Sequence, residues 1–329
     1  MSRRLKRPFV SIVIPVFNEE KNIGECLTSV LALDWPRDRL EILLIDNGST
    51  DSTLIIAEQI LLNDCRARLF CKEGGTIASV RNYGWRQSCG EILAFLDGDS
   101  VVGKNWLKIG VDLLQSSYDI SCVGFAVTPP SVDDTWIERT WWPISSSGKH
   151  SGTKEVPWLS SFNLILWREA FENVNGFDET LVTCEDADLG ARLSKDSRLI
   201  FSDLTYVQHL GTVKTVTDFL RKEFWRGKNS FDVWWRSGHK KKGFLSLFIP
   251  VFYTFVASGA TITAAVIPLT GISSILSSFV IFIFLTLTLP LMLALRAGVW
   301  RPRSLLSTSV LFSFYLLARG AAIVCFNRK

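Results

Sequence analysis

Positions 244–295 carry no charged side chain, and this feature limits the possible folds more than any other. The stretch contains two apolar runs, 244–269 and 272–295. Each exceeds the roughly 20 residues that a helix needs to cross about 30 Å of hydrocarbon. A third run, 305–326, contains Arg319, whose charge costs at least ~2.5 kcal/mol near a bilayer centre unless it finds a partner or reaches the interface. We expect transmembrane helices at 244–269 and 272–295, and we interpret 305–326 as a third.

Basic clusters indicate how these helices are oriented. Lys240–Lys242 precede the first run, and Arg296, Arg301 and Arg303 follow the second, whereas the link at 270–271 is uncharged. Because basic flanks stay in the cytosol, we expect a hairpin whose two ends face the cytoplasm. The sequence thus predicts a multi-pass protein of a cell membrane, such as the bacterial inner membrane, with its amino-terminal region in the cytoplasm.

The segment 216–243, ahead of the hairpin, has an amphipathic helical pattern. Its apolar stripe opposes a row of cations; the two sets are Leu220, Phe224, Phe231 and Trp235, and Arg221, Lys222, Arg226, Lys228 and Arg236. Tryptophan on one side and cations on the other suit a helix that lies in a membrane interface. A surface helix packed on a domain explains the stretch equally well by itself, and the apolar runs that follow favour the interface.

Short apolar runs alternate with helical patterns from residue 9 to about 125, which is typical of an α/β domain. The predicted strands are 9–17, 40–46, 68–72 and 91–97, and the predicted helices are 23–33, 53–62 and 77–89. The first run ends at polar residues 18–20, which indicates a buried strand rather than a signal peptide. Residues 126–215 are irregular, and we interpret them as the substrate-facing half of the same domain.

Composition excludes some classes of function. A net charge of +4 over 329 residues, without a basic face carrying interleaved aromatic residues, argues against binding of nucleic acid. The seven cysteines form no CxxC pair and have no regular spacing, so neither a disulfide framework nor a zinc site is expected.

Three groups of polar residues stand at the ends of predicted elements. Asp46 and Asn47 close the second strand, and Asp97 and Asp99 follow the fourth. In open α/β sheets, ligands bind beyond the carboxyl ends of the strands, and two such carboxylates suit a ribose and a hard cation that bridges a diphosphate. A third group, at 184–192, places carboxylates at the start of a helix, where a general base could act.

Each motif also has a purely structural explanation. The sequence after Asp46 is a good turn, with Ser49 or Asp51 as a helix cap. A lone Asp-x-Asp occurs in many turns, and Glu185 and Asp186 could simply cap their helix. The order and spacing of all three motifs favour a functional site.

Taken together, these motifs resemble those of the family 2 glycosyltransferases with the GT-A fold. The segments that carry the resemblance are PVFNEE, IDNGSTD, VRN, FLDGDS, NGFDE and EDADLGARL, which run from about Val10 to Gly227. The resemblance implies an α/β fold, a GT-A nucleotide-diphospho-sugar transferase domain with a Rossmann-like mixed sheet at 9–215. A basic tail at 1–8 would precede it, and the interfacial segment and a transmembrane region at 244–326 would follow.

The resemblance also implies an inverting, metal-dependent transfer. Asp186 would be the catalytic base, and Asp99, with Asp97 and His209, would hold Mg²⁺ or Mn²⁺. The residues expected around the nucleotide sugar are Pro15, Phe17, Glu19, Asp46, Asn47, Arg81, Asp97 and Glu185. The implied partners are a nucleotide-diphosphate sugar, with a UDP-sugar favoured, a glycan or lipid-linked acceptor, and membrane lipids.

Two departures from the family pattern bear on the substrates. Many members have Asp-Asp where this chain has Asp46-Asn47, which weakens the case for uracil. Processive members have Gln-x-x-Arg-Trp where this chain has Arg221 to Trp225, which weakens the case for polymer synthesis. A polyprenyl-phosphate glycosyltransferase, a nucleotidyltransferase and a non-catalytic membrane scaffold stay open as alternatives.

Overall fold

The structure is a computed structural model that describes residues 7–145, 152–236, 241–266 and 286–326. The chain divides into two compact units. The first comprises Met1–Pro129 and Lys149–Thr212, and the second comprises Pro130–Gly148 and Val213–Lys329. The domain boundaries expected from the sequence stay predictions, and the structure adds that residues 130–148 group with the C-terminal helices.

A nine-stranded mixed sheet forms the first unit. Its strands are β1 (Val10–Val16), β2 (Leu40–Asp46), β3 (Ala67–Cys71), β4 (Ile92–Leu96), β5 (Ser100–Val102), β6 (Ile120–Val127), β7 (Lys154–Glu155), β8 (Asn163–Trp167) and β9 (Arg198–His209). The order is β3-β2-β1-β4-β8-β6-β9-β5, and β7 pairs with β9. Strands β1 to β4 run parallel to one another, whereas β8 runs antiparallel to both β4 and β6. The α/β fold expected from the sequence is confirmed.

Helices cover both faces of this sheet. They are α1 (Ile23–Leu31), α2 (Thr53–Leu61), α3 (Ile77–Gln87), α4 (Trp106–Ser116), α6 (Arg168–Asn173) and α7 (Glu185–Leu193). Strand β1 is buried at all of its positions because Val10, Ile12 and Ile14 pack in a cluster with α1, α2 and α4, while Val13 belongs to the cluster on the other face. Burial on both faces explains why the parallel strands read as continuous apolar runs.

The second unit is helical. Its helices are α5 (Trp136–Ser145), α8 (Val216–Gly227), α9 (Ser230–Arg236), α10 (Lys241–Val266), α11 (Thr286–Arg296) and α12 (Pro302–Phe326). The amphipathic pattern at 216–243, expected as one helical segment, forms α8 and α9 with a break at Lys228 and Asn229, followed by the start of α10.

Arg319 has the partner that its position in an apolar helix requires. Its Nε donates to Glu223 Oε2 on α8 at 2.9 Å, and its Nη1 donates to the carbonyl oxygen of Arg226 at 3.0 Å. Glu223 is buried and also pairs with the Arg226 guanidinium. The charge of Arg319 in α12 is therefore paired with a buried carboxylate, which Arg226 shares.

The structure describes parts of the apolar region, at 241–266 and 286–326. Among the described residues one helix, Pro302–Cys325, is long and apolar enough to cross a membrane, and half of its apolar window is buried. Helices α10 and α11 have shorter apolar segments, Phe244–Gly259 and Thr286–Arg296. Most of the run at 272–295 lies outside the described residues. A buried core helix meets the same criterion as a membrane span, so the multi-pass arrangement stays a prediction.

Glu41 on β2 is a buried carboxylate with a stabilising role. Its Oε1 accepts hydrogen bonds from Ser11 Oγ at 2.6 Å and from the backbone N–H of Cys89 at 2.7 Å, and its Oε2 pairs with Arg68. Burial alone would raise the pKa of Glu41, but these hydrogen bonds and the Arg68 charge outweigh it and lower the pKa.

We expect Glu41→Gln to destabilise the protein at neutral pH by about 1–3 kcal/mol, because it weakens several hydrogen bonds to a charged group. Since the pKa is lower in the folded protein, ionised Glu41 stabilises the fold above its unfolded pKa of about 4.3. That contribution is lost as the pH falls through the lowered folded value. Unfolding in detergent at pH 7 and pH 3.5 measures the effect, with the exposed Glu58→Gln as control. An equal loss of stability at both pH values would contradict it.

Candidate active site

The predicted site residues come together at one edge of the sheet in the first unit. Asp46 ends β2 and Asp97 directly follows β4, whose carboxyl ends lie side by side with that of β1. Antiparallel pairing brings the start of β8 to the end of β4, since Asn163 pairs with Leu96. His209, at the end of β9, pairs with Ser100 on β5 and so lies beside Asp99.

Asp46 and Asn47 form a buried polar pair at this edge. Oδ2 of Asp46 accepts hydrogen bonds from the backbone N–H groups of Gly48 at 2.9 Å and Ser49 at 3.0 Å. Its Oδ1 and the Asn47 Oδ1 are buried without a hydrogen-bond partner among the described residues. A buried oxygen without a partner costs about 1–3 kcal/mol. Both acceptors are therefore suited to a ligand that donates N–H or O–H groups.

The loop after β1 borders this pair. Pro15 lies opposite Ile45 in the parallel ladder, and Phe17 is 54% exposed, so its ring is available at the edge of the sheet. Asn18 ties the two loops together, because its N–H donates to Ser49 Oγ and its Oδ1 accepts from the N–H of Thr50.

Glu19 lies beside the two aspartates that follow β4. Burial raises the pKa of Glu19, and the negative charges of Asp99 and Asp97 raise it further. A hydrogen bond from Asn22 acts in the opposite direction but is outweighed. The structure thus concentrates negative charge where the sequence predicts a cation.

Arg81, on α3, lies beneath this edge and is almost completely buried. Its Nη2 donates to Asp97 Oδ1 at 2.7 Å and its Nη1 donates to Glu185 Oε1 at 2.8 Å. Burial would lower the pKa of Arg81, but the charges of Asp97 and Glu185 outweigh it and raise the pKa. Both terminal nitrogens bind protein carboxylates, so the guanidinium joins β4 to the start of α7.

Asp99 and His209 form the donor set that fits a hard divalent cation. His209 Nε2 lies 3.6 Å from Asp99 Oδ2, too far for a hydrogen bond, and the Phe162 ring packs edge-on against the imidazole. A Cβ atom at Gly211 would collide with Asp99 Oδ2, so glycine leaves room for this carboxylate. Two or three oxygen and nitrogen donors suit Mg²⁺ or Mn²⁺ when substrate phosphates complete the coordination.

Among the described residues no group of three or more His, Cys, Asp or Glu side chains is arranged to hold a metal ion. Where substrate phosphates complete its coordination, Mg²⁺ usually takes only one or two carboxylates from a protein.

Asp186 lies in the first turn of α7. Cys184, just before the helix, has φ of 66°, in the left-handed region that is rare for residues other than glycine. Glu185 is buried against Arg81, whereas Asp186 is partly exposed and its Oδ1 accepts from the N–H of Ala187 at 2.7 Å. The positive end of the helix dipole favours the ionised form of such a carboxylate.

Two residues that hold this site together were not among the predicted ones. The Asn82 side-chain amide forms two hydrogen bonds with the backbone of Phe177. Its Nδ2 donates to the Phe177 carbonyl and its Oδ1 accepts from the Phe177 N–H. Arg192 donates to Asp188 and to the carbonyl oxygens of Val174 and Gly176. The available signal was their place in the VRN and EDADLGARL segments, which carry the family resemblance.

Comparisons with known proteins identify the family. The profile described as Glycosyl transferase family 2 matches residues 11–174. Glycosyltransferase AglE of Haloferax volcanii is 32% identical over 231 residues, which cover 69% of this chain and 74% of AglE. The chain belongs to glycosyl transferase family 2. The uncharacterized glycosyltransferase EpsJ of Bacillus subtilis is 29% identical over 55% of this chain and 54% of EpsJ.

Solved structures agree on the fold. The mannosyltransferase PcManGT from Pyrobaculum calidifontis, solved with GDP-Man and Mn²⁺, superposes with a TM-score of 0.67 at 19% identity and covers 98% of this chain and 88% of its own. Staphylococcus aureus TarS 1-349, solved with UDP-GlcNAc, gives 0.53 at 17% identity and covers 97% of this chain and 91% of its own. The family 2 member described here has the GT-A fold, as the motifs predicted.

Proposed function

We propose that this family 2 glycosyltransferase moves a sugar from a nucleoside-diphosphate donor to an acceptor hydroxyl in glycan synthesis, with inversion at the anomeric carbon. The observation that carries the proposal is the gathering of Asp46, Asp97, Asp99 and Asp186 around one sheet edge. The complexes of PcManGT with GDP-Man and of TarS with UDP-GlcNAc support the donor class.

The unpartnered oxygen of Asp46 supports a nucleotide base at the first part of the site. Uracil presents one N–H between two carbonyl groups, and a buried carboxylate oxygen can accept it; the Asn47 amide can both donate and accept. The exposed Phe17 ring can stack on the base, with Pro15 near the end of β1 and Glu19 in the loop after it. We favour a UDP-sugar on these grounds.

Asp97, Asp99 and His209 would hold the divalent cation at the donor diphosphate. When bound, Mg²⁺ or Mn²⁺ would supply charge stabilisation for the departing nucleoside diphosphate. The role of Arg81 in this proposal is to fix Asp97 and Glu185 in place, because both of its terminal nitrogens bind those carboxylates.

Asp186 is the proposed general base. Its carboxylate takes the proton of the acceptor hydroxyl as the acceptor oxygen forms a bond to the anomeric carbon and the bond from that carbon to the diphosphate oxygen breaks. The nucleoside diphosphate leaves from the opposite face of the sugar. One displacement of this kind inverts the anomeric configuration.

We also propose that the second unit attaches the enzyme to a cell membrane, with the active site in the cytoplasm and a lipid-linked acceptor. Helix α10 supports this, because large apolar side chains along it are exposed at helical spacing: Phe244, Phe248, Phe252, Phe255 and Ile262. In the sequence, a run of lysines at 240–242 precedes these side chains, and such a run suits anionic headgroups. Sedimentation of the full chain with membranes after carbonate washing tests this attachment.

A screen of the purified protein against UDP-, GDP-, ADP- and dTDP-sugars with Mg²⁺ or Mn²⁺ tests the proposed reaction. We expect nucleoside diphosphate to be released with one donor class, and the release to stop on addition of a chelator. Release of pyrophosphate instead, or no release with any donor and acceptor, would contradict the proposal. Asp46→Ala is the companion variant, which should raise the KM for the donor.

A further inference from the structure

The segment between β7 and β8 lies along α7, beside the proposed base. A Cβ atom at Gly190 would lie 2.7 Å from Trp158 Cα and 3.0 Å from the carbonyl oxygen of Pro157, so the two backbones touch there. Three residues further on, Ser161 Oγ donates to Glu185 Oε1 at 3.3 Å. The segment therefore runs along α7 from Gly190 back to the start of the helix.

Trp158 is the side chain in this segment that packing does not explain. Val156 and Leu159 on either side of it are buried in the core of the first unit, whereas the Trp158 side chain is 43% exposed. A large aromatic ring left this open contributes less to folding than a buried one, because its apolar area stays in water.

The position of Trp158 places it next to the chemistry. Gly190 and Asp186 are four residues apart on α7 and lie on the same face of the helix. The segment also ends at the nucleotide edge, since the backbone N–H of Asp97 donates to the carbonyl oxygen of Phe162 at 3.1 Å. Val182, four residues before Asp186, is a second exposed apolar side chain in the approach to α7.

We propose that Trp158 is an acceptor-binding residue whose indole stacks against a sugar ring, so that the acceptor is a glycan that ends in a sugar. This rests on the proposed function, and it adds the chemical class of the acceptor. A pyranose ring has an apolar face of C–H groups that suits an aromatic face, while its hydroxyl groups stay at the rim. A sugar held there by Trp158 would present a hydroxyl to the neighbouring Asp186 carboxylate.

The test compares two acceptors with Trp158→Ala, Trp158→Phe and a matched control. The acceptors are an octyl glycoside, chosen from a panel of octyl hexosides and octyl N-acetylhexosaminides, and farnesyl phosphate, which has no sugar. The control is Tyr118→Ala, which removes a fully exposed aromatic ring at the amino end of β6, the opposite edge of the sheet. The readouts are kinetics with each acceptor, donor hydrolysis without acceptor, and saturation-transfer NMR of the octyl glycoside.

We expect Trp158→Ala to raise the KM for the octyl glycoside about tenfold, which corresponds to about 1.4 kcal/mol, a usual size for one aromatic contact. Donor KM and donor hydrolysis should not change, and Trp158→Phe should recover most of the affinity. Saturation of the sugar-ring protons should fall in Trp158→Ala and stay normal in Tyr118→Ala.

Several results would overturn the inference while leaving the transferase proposal intact. These are an unchanged KM and unchanged NMR saturation in Trp158→Ala, or use of farnesyl phosphate but of no octyl glycoside. Failure of the proposed function itself shows differently, as wild-type protein that releases no nucleoside diphosphate from any donor.

Discussion

An Asp186→Asn enzyme should transfer sugar to a hydroxyl acceptor about 10²–10⁴-fold more slowly than the wild type, because the neutral amide cannot take the acceptor proton. Donor affinity should stay nearly unchanged, since Asp186 lies at the start of α7. The unpartnered oxygens proposed to bind the nucleobase of the donor belong instead to Asp46 and Asn47. Turnover with saturating donor and acceptor, and calorimetric titration of the donor, measure the two effects separately.

The matched control for this variant is Asp196→Asn, which removes an exposed carboxylate beyond the other end of α7. It should leave turnover as it is. Wild-type-like transfer to hydroxyl acceptors by Asp186→Asn would refute the base assignment. If that variant stayed active only with a lipid phosphate, whose oxygen is already anionic, a polyprenyl-phosphate glycosyltransferase would be the better description.

Arg81→Met should destabilise the first unit by about 3–5 kcal/mol, the usual cost of leaving a buried charge without its partner. Methionine is similar in volume to arginine but removes the cation between Asp97 and Glu185. The two carboxylates then repel each other where little solvent reaches them. Thermal or denaturant unfolding at neutral pH measures this loss. A divalent cation with nucleoside diphosphate should restore part of it, because the cation would replace positive charge near Asp97.

Arg86→Met, on the same helix, is the control for Arg81→Met. Arg86 pairs with Glu179 at 2.9 Å, but both side chains are largely exposed, and exposed pairs contribute about 0–1 kcal/mol. Equal losses in the two variants would show that the burial of Arg81 has no special energetic weight, contrary to our interpretation of its two ion pairs.

The first half of the fold could be predicted because its elements carry their own signals. The strands at 40–46 and 91–97 agree with β2 and β4 to within one residue at each end, since buried parallel strands form continuous apolar runs. The expected helix at 23–33 ends earlier, at Leu31. Local patterns define such elements, but their ends depend on what the next turn contacts.

The second half could not be predicted in the same way. The insertion of β8 between β4 and β6 depends on pairing between strands that are far apart in sequence, such as Leu96 with Asn163. No residue type within 126–215 specifies that order. The grouping of residues 130–148 with the C-terminal helices has the same origin, because Trp141 packs against Phe219 and Tyr315.

The site shows the same division between local and long-range information. The strand-end motifs predicted which side chains would gather at the sheet edge. The burial of Arg81 between Asp97 and Glu185 depends on a contact 104 residues apart in the chain, whereas the resemblance implied only that Arg81 lies around the nucleotide sugar. In the same way, the sequence predicted a free-energy cost for Arg319 within an apolar run. Its pairing with Glu223 on another helix depends on a contact far apart in the chain.

The anomeric configuration of the product tests the central claim most directly. Proton NMR of the glycoside formed from a donor of known configuration gives the configuration of the new bond. The proposed single displacement, with Asp186 as base and the diphosphate leaving from the opposite face, predicts inversion, so that an α-linked donor yields a β-linked product. A product that retains the donor configuration would contradict it.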